Sequence, residues 1–122
     1  PLAFVGTGSM GETALAAAAL LRAEGFPAAA FATDAVKPLD GALMERIAAS
    51  FAAVVTVEEN VLSGGFGSAV VERMQTAARR PRVLFLGLPD RFVPHGGRDA
   101  LLAECGLSPA AIAARARPFA AP

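Results

Sequence analysis

The chain is 122 residues long, enough for one small domain and too few for two, and at 54% hydrophobic with 18% charged it has the composition of a globular protein with its own core. Eleven basic and eleven acidic residues cancel, so bulk charge supplies no pull toward nucleic acid or an anionic membrane. No apolar run approaches the ~20 residues that cross a bilayer, and the single cysteine, Cys105, allows no internal disulfide, so the cytoplasm is the expected compartment.

Taken in order, Leu2 to Val5 is a short apolar run stopped by Gly6-Thr7-Gly8, and it reads as a first strand. Nothing at Pro1 resembles a signal peptide, and a core strand at the second residue points to a piece of a longer polypeptide. Ser9 with Glu12 three residues on is a capping-box pattern that predicts a helix from about Met10, ended near Gly25. Ala28 to Ala32 is a second strand by position, and Asp40 is placed to cap a short helix through Leu43, Met44 and Ile47.

The third strand is the β-branched run Val54-Val55-Thr56-Val57. It lacks polar alternation and so reads as buried on both faces. A helix burying Phe66, Val70, Met74 and Ala77 follows, then a fourth strand over Val83 to Leu86 and an irregular loop from Asp90 to Gly97. Leu101, Leu102 and Cys105 form one face of a further helix. Ser108-Pro109 starts a last one with the proline at the first helical position. Repeated strand-helix units predict an α/β domain, a parallel sheet with helices on both faces.

Three stretches carry possible chemistry. Gly6-Thr7-Gly8-Ser9-Met10-Gly11 is a G-x-G-x-x-G between strand and helix, with Asp34 near the end of the second strand. It fits either a Rossmann-like nucleotide-binding module or a glycine turn that packs strand against helix. Glu58, Glu59 and Asn60 close the third strand ahead of Gly64 and Gly65. Neighbouring carboxylates on a strand face opposite ways, so one is expected to accept amide hydrogens from the glycine loop and the other to face a partner. The loop Asp90-Arg91-Phe92-Val93-Pro94-His95 holds the only histidine; a nucleophile pair would need Cys105 to meet it in an open pocket, and Cys105 reads instead as a packed core thiol. Arg115 and Arg117 read as a solvated helix face.

Together, VKPLD at 36–40, VTVEENVLSGGFGSAV at 55–70, GLPDRFVPHG at 87–96 and LLAECGLS at 101–108 resemble the C-terminal domain of the 1-deoxy-D-xylulose-5-phosphate synthase family, within the transketolase superfamily. The middle block alone is shared with related α-keto acid dehydrogenase subunits, and the third and fourth narrow it. The resemblance implies a three-layer α/β/α fold with a mostly parallel sheet and one antiparallel strand, supplied by a segment ahead of Pro1. It implies that residues 1–122 are one domain of a three-domain, homodimeric chain. That enzyme condenses pyruvate with glyceraldehyde 3-phosphate, with loss of carbon dioxide, for isoprenoid, thiamine and pyridoxal biosynthesis. Its thiamine diphosphate and Mg2+ would be held by the other domains, with no catalytic, cofactor or metal residue in this chain. The domain alone would be inactive, and its partners would be the rest of the enzyme and the dimer mate, with no nucleic acid and no membrane. Glu58, Glu59, Asn60, Gly64, Gly65, Asp90, Arg91 and His95 become candidates for contact with those partners. In the family the first glycine turn is a fold element, which turns the reading away from a nucleotide site. Two departures stand out: Asp34-Ala35 replaces a usual Arg-Phe, and Phe66 replaces a usually small residue, which would leave the glycine loop less open.

Overall fold

The computed structural model describes residues 1–33, 40–61, 65–88, 103 and 105–120, with 59–61 and 88 described by backbone alone. The elements are β1 (Leu2–Thr7), α1 (Met10–Ala23), β2 (Ala28–Thr33), α2 (Gly41–Ser50), β3 (Ala53–Val61), α3 (Phe66–Met74), β4 (Arg82–Leu88) and α4 (Pro109–Ala120). The four strands form one sheet in the order β2-β1-β3-β4, and every pair is parallel. Leu2 lies beside Ala28 on one side and Ala53 on the other, and Ala53 beside Arg82, so the strands start level.

Both faces of the sheet are covered, and the central strands show why the β-branched runs lack alternation. Leu2 to Val5 and Val54 to Val57 have no exposure on either face, apart from backbone pairing. On one face Phe4, Val55, Val57 and Leu86 meet Met10, Ala14, Ala17 and Leu21 of α1 and Ile112, Ala113 and Ala116 of α4. On the other, Ala3, Val5 and Val54 meet Met44, Ile47 and Ala48 of α2 and Phe66, Val70 and Met74 of α3. The result is the expected three-layer α/β/α arrangement. Phe66 places its ring in this second core.

The helix ends follow local chemistry in three cases. Gly25, at φ +91°, closes α1: its N–H donates to the Arg22 carbonyl and that of Phe26 to Leu21, both at 3.0 Å. Asp40 Oδ1 accepts from the Leu43 N–H at 3.0 Å, and Ser108 Oγ from the Ala111 N–H at 3.2 Å, as their positions predict. The capping box at Ser9 does not form. Ser9 already has helical backbone angles and makes no side-chain cap bond. The turn is closed instead by backbone, with Gly8 N–H donating to Thr33 and Gly11 N–H to Gly8.

Two further expectations change. Arg117 is not merely solvated: its Nε and Nη2 donate to the two carboxylate oxygens of Glu24, each at 2.7 Å, tying the last turn of α4 to the end of α1. Cys105 is half-buried against the α1–α4 core but lies in a turn, closed by Gly106 at φ +75°, rather than on a helical face. The remainder of that expected helix, Leu101 and Leu102, lies outside the described residues.

Candidate functional site at the carboxyl edge of the sheet

The β3–β4 ladder is regular from Ala53↔Arg82 to Val57↔Leu86 and resumes at Val61↔Leu88. Over that gap β3 takes four steps where β4 takes two, so residues 58–60 bulge. A bulge re-aims side chains and removes the simple alternation of faces on which the opposed-carboxylate argument rested. The strand runs through Glu59 and Asn60 to end at Val61, with these residues at its carboxyl end as expected.

Glu58 points inward and is fully buried. Its Oε1 accepts from the Phe66 N–H at 2.9 Å and its Oε2 from the Gly67 N–H at 2.7 Å. These are the first amides of α3, which have no partner within the helix. The N-cap residue, Gly65, has no side chain to serve them. A carboxylate at a helix N-terminus also meets the favourable end of the helix dipole. One of the two glutamates thus accepts amide hydrogens as its place in the sequence suggested, and the donors are the helix start itself.

The first turn of α3 is also held by shape. A Cβ on Gly67 would lie 2.9 Å from Thr56 Oγ1 and 2.8 Å from Phe85 Cε1, so only glycine lets the helix sit this close to β3 and β4. The Thr56 hydroxyl is buried with no hydrogen-bond partner among the described residues. The glycines signalled close backbone approach at this helix start, Gly67 among them, but not that Thr56 and Phe85 are what Gly67 approaches, because the contact joins three elements. The only local signal was the third glycine of Gly64-Gly65-Phe66-Gly67.

Of the eight candidate contact residues, the structure places Glu58 and Gly65 at this junction and carries the backbone of Glu59 and Asn60 up to it. Gly64, Asp90, Arg91 and His95 lie outside the described residues, as does Asp34. Among the described residues no cluster of His, Cys, Asp or Glu could hold a metal ion, and no helix is long and apolar enough to cross a membrane.

The glycines of the first turn are used for packing. A Cβ on Gly6 would lie 2.7 Å from the carbonyl carbon of Met10 and 2.9 Å from Gly11 Cα, and one on Gly11 would lie 2.7 Å from Ala32 Cβ. They bring α1 onto β1 and β2, which is the fold-element reading, and the nucleotide-binding alternative is not favoured.

Comparison with known proteins agrees in detail. Residues 1–112 match the family model described as Transketolase, C-terminal domain. A 1-deoxy-D-xylulose-5-phosphate synthase from Chlorobium luteolum is 45% identical over 112 residues, 92% of this chain. The corresponding protein of Cupriavidus taiwanensis is 48% identical over 109 residues, 89% of this chain. These matches take up only 18% and 16% of the relatives' own lengths. Among solved structures, a split-gene transketolase described as an inactive beta4 tetramer aligns with a TM-score of 0.86 and 35% identity, covering 96% of this chain and 38% of that one.

Proposed function

This chain belongs to the transketolase C-terminal domain family, and we propose that it is the C-terminal, assembly-forming domain of a 1-deoxy-D-xylulose-5-phosphate synthase. The complete enzyme joins pyruvate to glyceraldehyde 3-phosphate with loss of carbon dioxide, in the biosynthesis of isoprenoids, thiamine and pyridoxal. It works in the cytoplasm as a homodimer. Thiamine diphosphate and Mg2+ supply the acyl-carbanion chemistry when bound, and they are held by the other domains.

The observation that carries this reading is the near end-to-end match to synthases that are several times longer. The geometry at the carboxyl edge supports it. A diphosphate seeks free amides at a helix start, with its metal in a carboxylate cluster. Here the start of α3 is already filled by Glu58, that of α1 is drawn onto the sheet, and no metal cluster stands beside either among the described residues. This use of the α3 start and of Gly6 and Gly11 for packing supports a cofactor held by the other domains. What these residues do is hold a strand end and a helix start together, as a contact surface requires.

The surface that meets the other domains or the dimer mate is formed by Glu59, Asn60, Gly64 and Gly65 with the loop bearing Asp90, Arg91 and His95. Calorimetry tests the division of labour: the 122-residue chain is expected to take up no thiamine diphosphate with Mg2+ and to turn over no pyruvate. Micromolar binding by these residues alone would sink the reading. Arg91→Ala is expected to leave folding intact and weaken assembly of the full-length enzyme; an unchanged dimerisation constant would remove that loop from the surface.

A further inference from the structure

Among the described residues three helices have side-chain caps at their starts, and they are capped in two different ways. Asp40 and Ser108 reach three residues forward from the surface or its margin, the ordinary local solution. Glu58 reaches across eight and nine residues, from the end of another element, with its carboxylate fully buried. Burying a carboxylate is unfavourable unless its oxygens are hydrogen-bonded, and a serine or aspartate next to the helix would have satisfied an amide without that cost. A local cap cannot, however, fix the first turn of α3 relative to the end of β3. Glu58 can, and Gly67 against Thr56 and Phe85 fixes the same turn by contact.

We infer that Glu58 is a positioning residue for the assembled enzyme. Its buried carboxylate sets where the first turn of α3 stands at the carboxyl edge of the sheet, and so the shape of the surface offered to the neighbouring domains. The inference rests on the assembly role proposed above. It assigns no chemistry to Glu58, which touches only its own chain's amides.

The test uses the full-length synthase that carries this domain. Glu58→Gln keeps the size of the side chain, removes its charge and turns an NH2 group toward one of the two amides. Misplacement far from the reacting atoms can cost up to about a hundredfold in rate, so the expected loss in kcat/KM is about tenfold or more. Hydrogen exchange over residues 65–70 is expected to quicken. Gly67→Ala displaces the same turn by bulk without touching the charge, and the same loss is expected from it. Val70→Ala, on the buried face of the same helix, is the stability control. It is expected to lower the melting temperature at least as far with kcat/KM within about twofold of the parent, since a truncated core residue acts on stability. Equal activity losses in Glu58→Gln and Val70→Ala at equal melting temperature would overturn the positioning role, as would full activity in Glu58→Gln. A chain ending ahead of Pro1 that retained full turnover would overturn the assembly reading and this inference together. Loss of turnover in that chain with full activity in Glu58→Gln would overturn only the inference.

Discussion

Two glycine-rich junctions leave the same edge of the sheet from its adjacent central strands, and they are built on different physics. Between β1 and α1 glycines remove Cβ atoms so that helix and strand touch, and main-chain bonds from Gly8 and Gly11 close the turn. Between β3 and α3 a side chain reaches from the strand and takes the first two amides of the helix. Glycine content would have assigned both junctions to phosphate binding. The deciding quantity is whether the helix-start amides and the space above them are free. At α3 the first two amides are taken by Glu58, and at α1 the space at Gly6 and Gly11 is closed by the Met10 backbone and the Ala32 methyl, while that at Gly8 is open.

The sharpest way to separate the junctions is to add one methyl group to each. On Gly6 the new Cβ meets the Met10 and Gly11 backbone, which cannot turn aside. Overpacking usually costs about 1–3 kcal/mol, and Gly6→Ala is expected at or above the top of that range, read from the urea midpoint of the 122-residue chain. On Gly67 the Cβ meets the Phe85 ring and the Thr56 hydroxyl, and Phe85 is only half-buried on the outer strand β4. Because a ring can swing where a carbonyl cannot, Gly67→Ala is expected to cost about 1–2 kcal/mol. The reverse order would mean that α3, not α1, is the more tightly seated helix, and the contrast drawn here would collapse.

Between those two in size is the carboxylate itself. Glu58→Ala leaves two helix amides without their acceptor and opens space in a closed core, while relieving the chain of a buried charge. A net loss of about 2–3 kcal/mol is expected. Asp40→Ala removes a single surface cap from α2 and is expected to cost about 1 kcal/mol. If the two variants lose equal stability, Glu58 is only another cap.

The sequence made some of this legible and hid the rest for a physical reason. The succession of strands and helices, the helix at Asp40, the proline-led start of α4 and a glutamate aimed at the glycine loop all follow from residues within about ten positions of one another. The failures lie at two kinds of place. Ser9 had the right chemistry for a cap, but backbone bonds from Gly8 and Gly11 had already closed that turn. The other misses are contacts between distant segments. Arg117 and Glu24 are 93 residues apart, Thr56, Gly67 and Phe85 lie on three elements, and the bulge at 58–60 exists only relative to β4. No periodicity or spacing encodes such meetings; they appear once the layers stack.

The smallest expected effect sharpens the contrast from the other side, because Glu24 is also a carboxylate held across a long sequence separation, but at the surface. Hydrogen bonds from Arg117 hold the Glu24 carboxyl below its ordinary value of 4.5, opposed by desolvation and aided to a lesser degree by the Arg117 charge. A carboxylate whose pKa is depressed by folding contributes stability above its unfolded value and loses it as pH falls through the folded one. The stability difference between the parent and Glu24→Gln is therefore expected to be small at pH 7, to decline as pH falls past the ordinary carboxylate value, and to vanish below the lowered folded one. Because both side chains are substantially exposed, ~0.5 M salt is expected to remove most of it as well. A difference that survived both acid and salt would have to come from packing of the Arg117 stem against the end of α1. The pair would then hold α4 by contact, as Gly67 holds α3.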